Sequence, residues 1–484
     1  MFVPLRMPQI RRTTILWIAA WAATVPVALA RAGLLAESDT FWEIRTGQVI
    51  LATGRIPRTD PFSWTAYGRP WRPNSWGFDV LLAPAYRYGG LTAVALLGAV
   101  LVLLVVAAML VLARRLGAGP GATAVVLLLA MPLLVAWFAV RPQLADYAAV
   151  AVLLMLVERL AAGRRPVLTI IAMGVLHAVW VNLHAAATLG VALAAAAGAA
   201  SVATGAAPSA AGAGTEPSAA GRAGRRWVVA GWFGAAVAAA AAGTLTSPAG
   251  TAILTQGLHV HDASTGLIVE WQRLDVTDPT QAITVLAGLS ALGAALYRRW
   301  WRPVAVLGVL AAGSVAAVRF QPILAVCAVP VLAAAVDTPA LRRWATRRRV
   351  LLRIAVGTLV VAYGVLAAQA VPHLGRPAYP VRPTAALPSG CRLVNSNDLG
   401  GLVILLRPDV PVSVDSRNDL YGRTEALRFK HLVDRGTPAE LDPMGVDCAL
   451  VPARSGLGQR LAADPGWLRL ADDRGGSVFV RRDG

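Results

Sequence analysis

Acidic residues are scarce in this chain, with 26 Asp and Glu against 45 Lys and Arg in 484 residues. Only 15% of its residues are charged while 56% are hydrophobic, and the mean hydropathy is +0.59, too apolar for a soluble globule. The three cysteines have no zinc-ligand spacing. There are no heptads, no Walker A loop, no GxSxG elbow and no GxG pattern placed for a Rossmann unit, so the soluble enzyme classes find little support. What remains is a chain long enough for many membrane spans.

The formal charge of +19 raises nucleic acid as a partner, but its distribution excludes that reading. Residues 1–370 carry 30 arginines and 13 acids, whereas the tail from Val371 is nearly balanced. The arginines cluster between apolar runs, as at Arg11 and Arg12, Arg114 and Arg115, Arg164 and Arg165, Arg225 and Arg226, Arg298 and Arg299, and Arg342 to Arg353. Runs of roughly 20 residues cross a bilayer core. The spacing predicts about 11 transmembrane helices, near 13–35, 90–113, 120–140, 142–161, 166–184, 186–205, 227–246, 280–297, 303–318, 320–337 and 350–370. With the N-terminus cytoplasmic, every arginine cluster falls inside, as the positive-inside rule requires. A basic flank also precedes a signal peptide, but the long first run without a small-residue cleavage site favours a span.

Residues 1–370 thus read as a transmembrane domain and 371–484 as an extracytoplasmic α/β domain, in which β-rich runs (CRLVN, VPVSVD, DCALVPA, SVFVRR) alternate with helical ones. Cys391 and Cys448 begin two of these runs; parallel neighbours would bring them into bonding range, and both the disulfide and the free thiols stay open. Residues 204–226 are a low-complexity Ala/Gly/Ser/Pro linker on the cytoplasmic side. Residues 37–82 form an outer loop rich in charge and Trp, opening with a helix expected to lie on the membrane surface through Phe41, Ile44, Val49 and Ile50.

Asp39 stands where the first span meets this loop, within reach of a lipid-linked substrate. Its carboxylate suits a general base toward an acceptor hydroxyl, or a cap for the helix that Thr40 begins. Arg141 in VRPQL and Arg319 in VRFQP are lone arginines at outer hairpin tips, suited to phosphate or to headgroup contact. His177 and His184 are seven apart, compatible with a metal pair but more simply with interfacial packing. Glu270 in IVEWQ, with His259, His261 and Asp262, adds a further outer polar set. VDSRNDLYG places Asp415, Arg417, Asp419 and Tyr421 at a strand end, either a ligand position or a salt-bridged turn.

The run DTFWEIRTGQVILATGRIPRTDPFSWTAYGRPW, with NSWGFDVLL, RPQL, WVNLH, VEWQ, RFQP, NDLGG and VDSRNDLYG, resembles a group of bacterial polytopic proteins related to the GT-C glycosyltransferase superfamily. The resemblance covers nearly the whole chain. It implies sugar transfer from a polyprenyl-phosphate carrier to an envelope glycan, lipid or protein, with Asp39 catalytic and Glu37, Arg141, Arg319, His184 and Glu270 binding substrate. It also implies a lipid-linked sugar donor and membrane lipids as partners, and some members use a divalent cation. Many members have adjacent acids in the first loop, whereas Ser38 separates Glu37 from Asp39 here. The alternatives are a transporter or flippase for a lipid-linked glycan, which needs charges deep within spans, and a non-enzymatic envelope-assembly scaffold.

Overall fold

The computed structural model describes residues 12–204 and 219–482. Among the described residues, seven helices are long and apolar enough to cross a membrane, and four shorter apolar helices accompany them. The helix Trp76–Arg115 joins a short first piece to a long apolar one through Gly89 and Gly90. Gly90 has φ 60 and ψ −156, a conformation essentially closed to side chains, so glycine permits the bend. Most of the expected linker 204–226 lies outside the described residues, but its end belongs to the helix Ala219–Thr244.

In the C-terminal part, β1 (Leu393–Asn395), β2 (Cys448–Val451), β3 (Trp467–Asp472) and β4 (Ser477–Arg481) form one sheet in the order β1-β2-β4-β3. The β1–β2 pair is parallel and the other two pairs are antiparallel. Cys391 and Cys448 are disulfide-bonded, with Cα atoms 6.1 Å apart. The VPVSVD run makes no strand of the sheet; its Val412 bridges to Ser63 of the first loop instead.

Two hydrophobic cores meet at the helix Asp39–Thr53. Phe41 and Ile44 belong to the core of the apolar helices, while Trp42 belongs to that of the C-terminal part. The facing helix Asn397–Leu406 does the converse, sending Leu402 and Leu405 into the first core and Leu399, Val403 and Ile404 into the second. The Asp39–Thr53 helix is therefore enclosed rather than laid on a membrane surface: Thr46 and Glu43 are buried along with its apolar side chains. A Cβ at Gly401 would come within 2.2 Å of the Ser38 carbonyl, so glycine lets the tail helix press against the residue before Asp39.

Candidate functional site

Asp39 opens its helix at the first helical position, but its carboxylate does not cap it. One oxygen accepts hydrogen bonds from Ser416 Oγ and, at 3.3 Å, from Trp42 Nε1; the other lies 3.3 Å from Arg141 Nη2. Thr40 Oγ1 donates to the Val140 carbonyl at 2.8 Å, which fixes the helix start against the chain just before Arg141. The local fold therefore sets this pair as much as charge does.

Arg141 is the centre of the site. It lies 2.5 Å from Glu270, 3.3 Å from Asp39 and 3.5 Å from Glu37, which itself accepts from Arg31 at 2.8 Å. Glu270 occupies the 3-10 turn Val269–Trp271, and its other oxygen lies 3.3 Å from Arg319 in the turn Val318–Phe320. Backbone bonds from Val318 N to Gln272 O (3.0 Å) and from Leu274 N to Val315 O (3.2 Å) hold these two turns together. The Arg319 guanidinium lies over the Trp271 ring at 4.8 Å, a cation–π contact, and approaches His184 Nε2 at 3.3 Å. His184 in turn meets Asp146 at 2.7 Å, and Trp180 donates to the same carboxylate.

The electrostatics follow from these contacts. Burial opposes the charge of Glu270, but Arg141 and Arg319 outweigh it and hold the carboxyl below its usual range. Burial likewise opposes the charge of Arg141, and Glu270, Asp39 and Glu37 reverse that effect. Glu43, one turn behind Asp39, has the opposite character. Burial, then Asp79 and Asp39, push it well above the usual carboxyl range, and its Oε2 has no partner.

A cleft of ≈ 990 Å³ opens from this network. Its polar end carries Glu37, Arg141, His184, Glu270 and Arg319, and its body is walled by apolar side chains including Leu189, Leu254, Leu258 and Ile323. A smaller adjoining recess of ≈ 90 Å³ shares Arg141, His184, Glu270 and Arg319 and adds Asp39, Glu43, Ser416 and Asp419. The six candidate residues therefore come together from five chain segments. Asp146, Glu43, Trp271 and Ser416 were not among the site residues expected from the sequence. Asp146 and Glu43 are acids in an otherwise oily chain and Trp271 adjoins Glu270, so each carried a usable signal, and Ser416 carried none.

The remaining candidates are placed elsewhere. His177 is buried against the Met173 carbonyl at 2.8 Å and does not share the Asp146 partner of His184. His261 packs on Trp271 at the cleft wall. Asp60 turns its own loop, accepting from the backbone of Phe62 and Ser63, and pairs with Arg417 at 2.7 Å. Arg417 and Asp415 form the salt-bridged turn, joined by Tyr421. A divalent cation does not fit the polar end. Glu37, Asp39 and Glu270 converge on the Arg141 guanidinium, which stands where a shared ion would, and Arg31 and Arg319 balance the remaining charge. Among the described residues no three His, Cys, Asp or Glu side chains are grouped to hold a metal.

No protein-family model matches the sequence. No curated protein matches it either. Solved structures do match. The crystal structure of the Archaeoglobus fulgidus oligosaccharyltransferase in its apo form aligns with a TM-score of 0.55 and 12% identity over 92% of this chain and 70% of that one. The archaeal oligosaccharyltransferase AglB from Archaeoglobus fulgidus, in complex with an inhibitory peptide and a dolichol-phosphate, aligns with a TM-score of 0.59 and 12% identity over 91% and 69%. The chain has an oligosaccharyltransferase-like fold. At this identity the likeness concerns architecture alone. The oligosaccharyltransferase-like fold and the apolar helices mark a membrane protein.

Proposed function

We propose that the protein is a membrane glycosyltransferase that moves a sugar from a polyprenyl-phosphate carrier to an envelope glycan, lipid or protein on the outer face of the cell membrane. The observation that carries this reading is the convergence of Asp39, Arg141, Glu270 and Arg319 at the polar end of an apolar cleft in this fold. Such a cleft suits a ligand with an isoprenoid body and a phosphate head. One matching transferase is in complex with a dolichol-phosphate, a ligand of that chemistry.

In this mechanism the acceptor hydroxyl oxygen attacks the anomeric carbon while the bond from that carbon to the phosphate oxygen breaks. Asp39 takes the hydroxyl proton, and the carrier phosphate leaves with the bond electrons. Arg319, held against Trp271 and Glu270, neutralises the developing charge; Arg141 orients Asp39. Residues 371–484, as an extracytoplasmic α/β domain, cover the recess through Ser416 and Asp419 and present the acceptor. The chain crosses the membrane with its N-terminus inside.

The deciding experiment is Asp39→Asn in a strain lacking the native copy, with envelope glycans and lipid-linked sugars profiled by mass spectrometry. Loss of one glycan with accumulation of its lipid-linked donor is expected; a wild-type profile sinks the catalytic role of Asp39. Orientation has its own test. A cysteine at Tyr67, 76% exposed, should react with an impermeant maleimide in intact cells, and one at Trp344, 51% exposed, only after permeabilisation. The reverse pattern overturns the topology.

A further inference from the structure

Asp146 has no part in the transfer mechanism above, yet it is 2% exposed in the first turn of the helix Gln143–Ala161. An acid so placed is costly unless its oxygens are bonded. Trp180 Nε1 donates to one oxygen at 2.6 Å, and His184 Nδ1 lies 2.7 Å from the other. A carboxylate accepts, so Nδ1 carries the hydrogen. The second ring nitrogen, Nε2, lies 3.3 Å from Arg319 Nη2. A guanidinium only donates, so Nε2 is the bare acceptor and the ring is neutral. The charged groups facing His184 are Asp146 from one side, Arg319 from the other, and Glu270 behind Arg319, where Arg141 also binds it.

His184 and Arg319 both line the polar end of the large cleft. A phosphate oxygen drawn to Arg319 therefore meets Nε2, and two lone pairs face one another unless a hydrogen comes between them. Asp146 favours the arrangement in which the ring supplies that hydrogen, because an imidazolium is stabilised by a carboxylate at hydrogen-bond distance. A phosphate monoester loses its second proton near pH ~6 and reaches the site as a dianion in mildly alkaline solution. The hydrogen must then come from solvent.

We propose that His184, positioned by Asp146, and Arg319 form a proton-linked subsite for a phosphate monoester, in which binding draws one proton onto Nε2. This rests on the glycosyl-transfer reading and deepens it: the same proton would neutralise the carrier phosphate as the sugar leaves. His184 is a binding residue in this scheme and Asp146 a positioning residue.

Calorimetric titration of the full-length protein in detergent with geranyl phosphate, at pH ~8 in two buffers of different ionisation enthalpy, counts the protons exchanged. About one proton taken up per ligand is expected for the native protein, and about none for His184→Gln, whose amide donates to phosphate without titrating. Asp146→Asn keeps an acceptor for Nδ1 but removes the charge that stabilises the ring proton, so proton uptake per ligand should fall below that of the native protein. Binding of geranyl phosphate without uptake, or uptake unchanged in His184→Gln, overturns the proton link and leaves glycosyl transfer standing. Failure to bind geranyl phosphate, or equal binding of geraniol, removes the phosphate subsite and the donor reading with it.

Discussion

Two arginines in this protein each gather several acids, and they differ chiefly in access. Arg417 is sealed. Its side chain is 1% exposed, Asp60 and Asp415 are 0% exposed, and Phe62 and Trp71 lie over the guanidinium at 5.1 and 4.5 Å. Arg141 has comparable charge around it, but it borders open space on the cleft side and its Nε has no partner. A closed and fully bonded ion cluster joins segments, here the first loop to the C-terminal part. An open one has capacity left for a ligand. Arginine–carboxylate geometry alone does not separate these roles; the neighbouring volume does.

The comparison breaks most sharply at Arg417. Arg417→Ala should cost about 3–5 kcal/mol, because it strands two buried carboxylates. A large fall in the detergent melting temperature is expected, with proteolysis of the C-terminal part; a near-native melting temperature would mean that the cluster is not a staple. Arg319→Ala should do the converse. Removing a donor aimed at developing charge typically costs 10²–10³ in rate, about 3–4 kcal/mol, so transfer should fall by that order while the melting temperature moves far less than for Arg417→Ala. A matched loss of stability would place Arg319 with Arg417 as a structural residue.

Glu43 sharpens the contrast with the smallest effect. It is buried as the Arg417 cluster is, but one of its oxygens is unpartnered. Its folded pKa is raised, so the folded protein keeps a proton that the unfolded chain loses. Stability should therefore decline as pH rises from the ordinary carboxyl range toward the folded value. Glu270 works in the other direction: its pKa is lowered, so its contribution is present above the ordinary carboxyl range and is lost as pH falls through the folded value. Glu43→Gln should flatten the decline that begins above the ordinary carboxyl range in a melting-temperature profile and leave the limb below that range unchanged. An unaltered decline would mean that Glu43 is ionised in the folded protein.

Much of the candidate site was legible because its residues break local rules. Lone arginines at Arg141 and Arg319, each followed within three residues by proline, and acids at Glu37, Asp39 and Glu270 in an oily chain, stand out without tertiary information. Burial was less legible. The pattern Phe41, Ile44, Val49 and Ile50 describes one apolar face, and a membrane surface covers such a face as well as a second protein layer does. Only the helices packed on it, Trp76–Arg115 and Asn397–Leu406, distinguish the two. The ambiguity of Asp39 was of the same kind, since a helix-capping acid and a cleft-facing acid can occupy the same sequence position. Its contacts with Ser416, 377 residues away, and with Arg141 turn it from the cap.

The sequence by itself determined the membrane character and the residues available for phosphate and proton chemistry, because hydropathy and charge are properties of local composition. The tertiary structure decided which acid faces which arginine, which cluster is closed, and that Asp146 stands behind His184. These depend on segments tens to hundreds of residues apart reaching hydrogen-bond distance, and on whether space remains beside them; neither is encoded in local spacing.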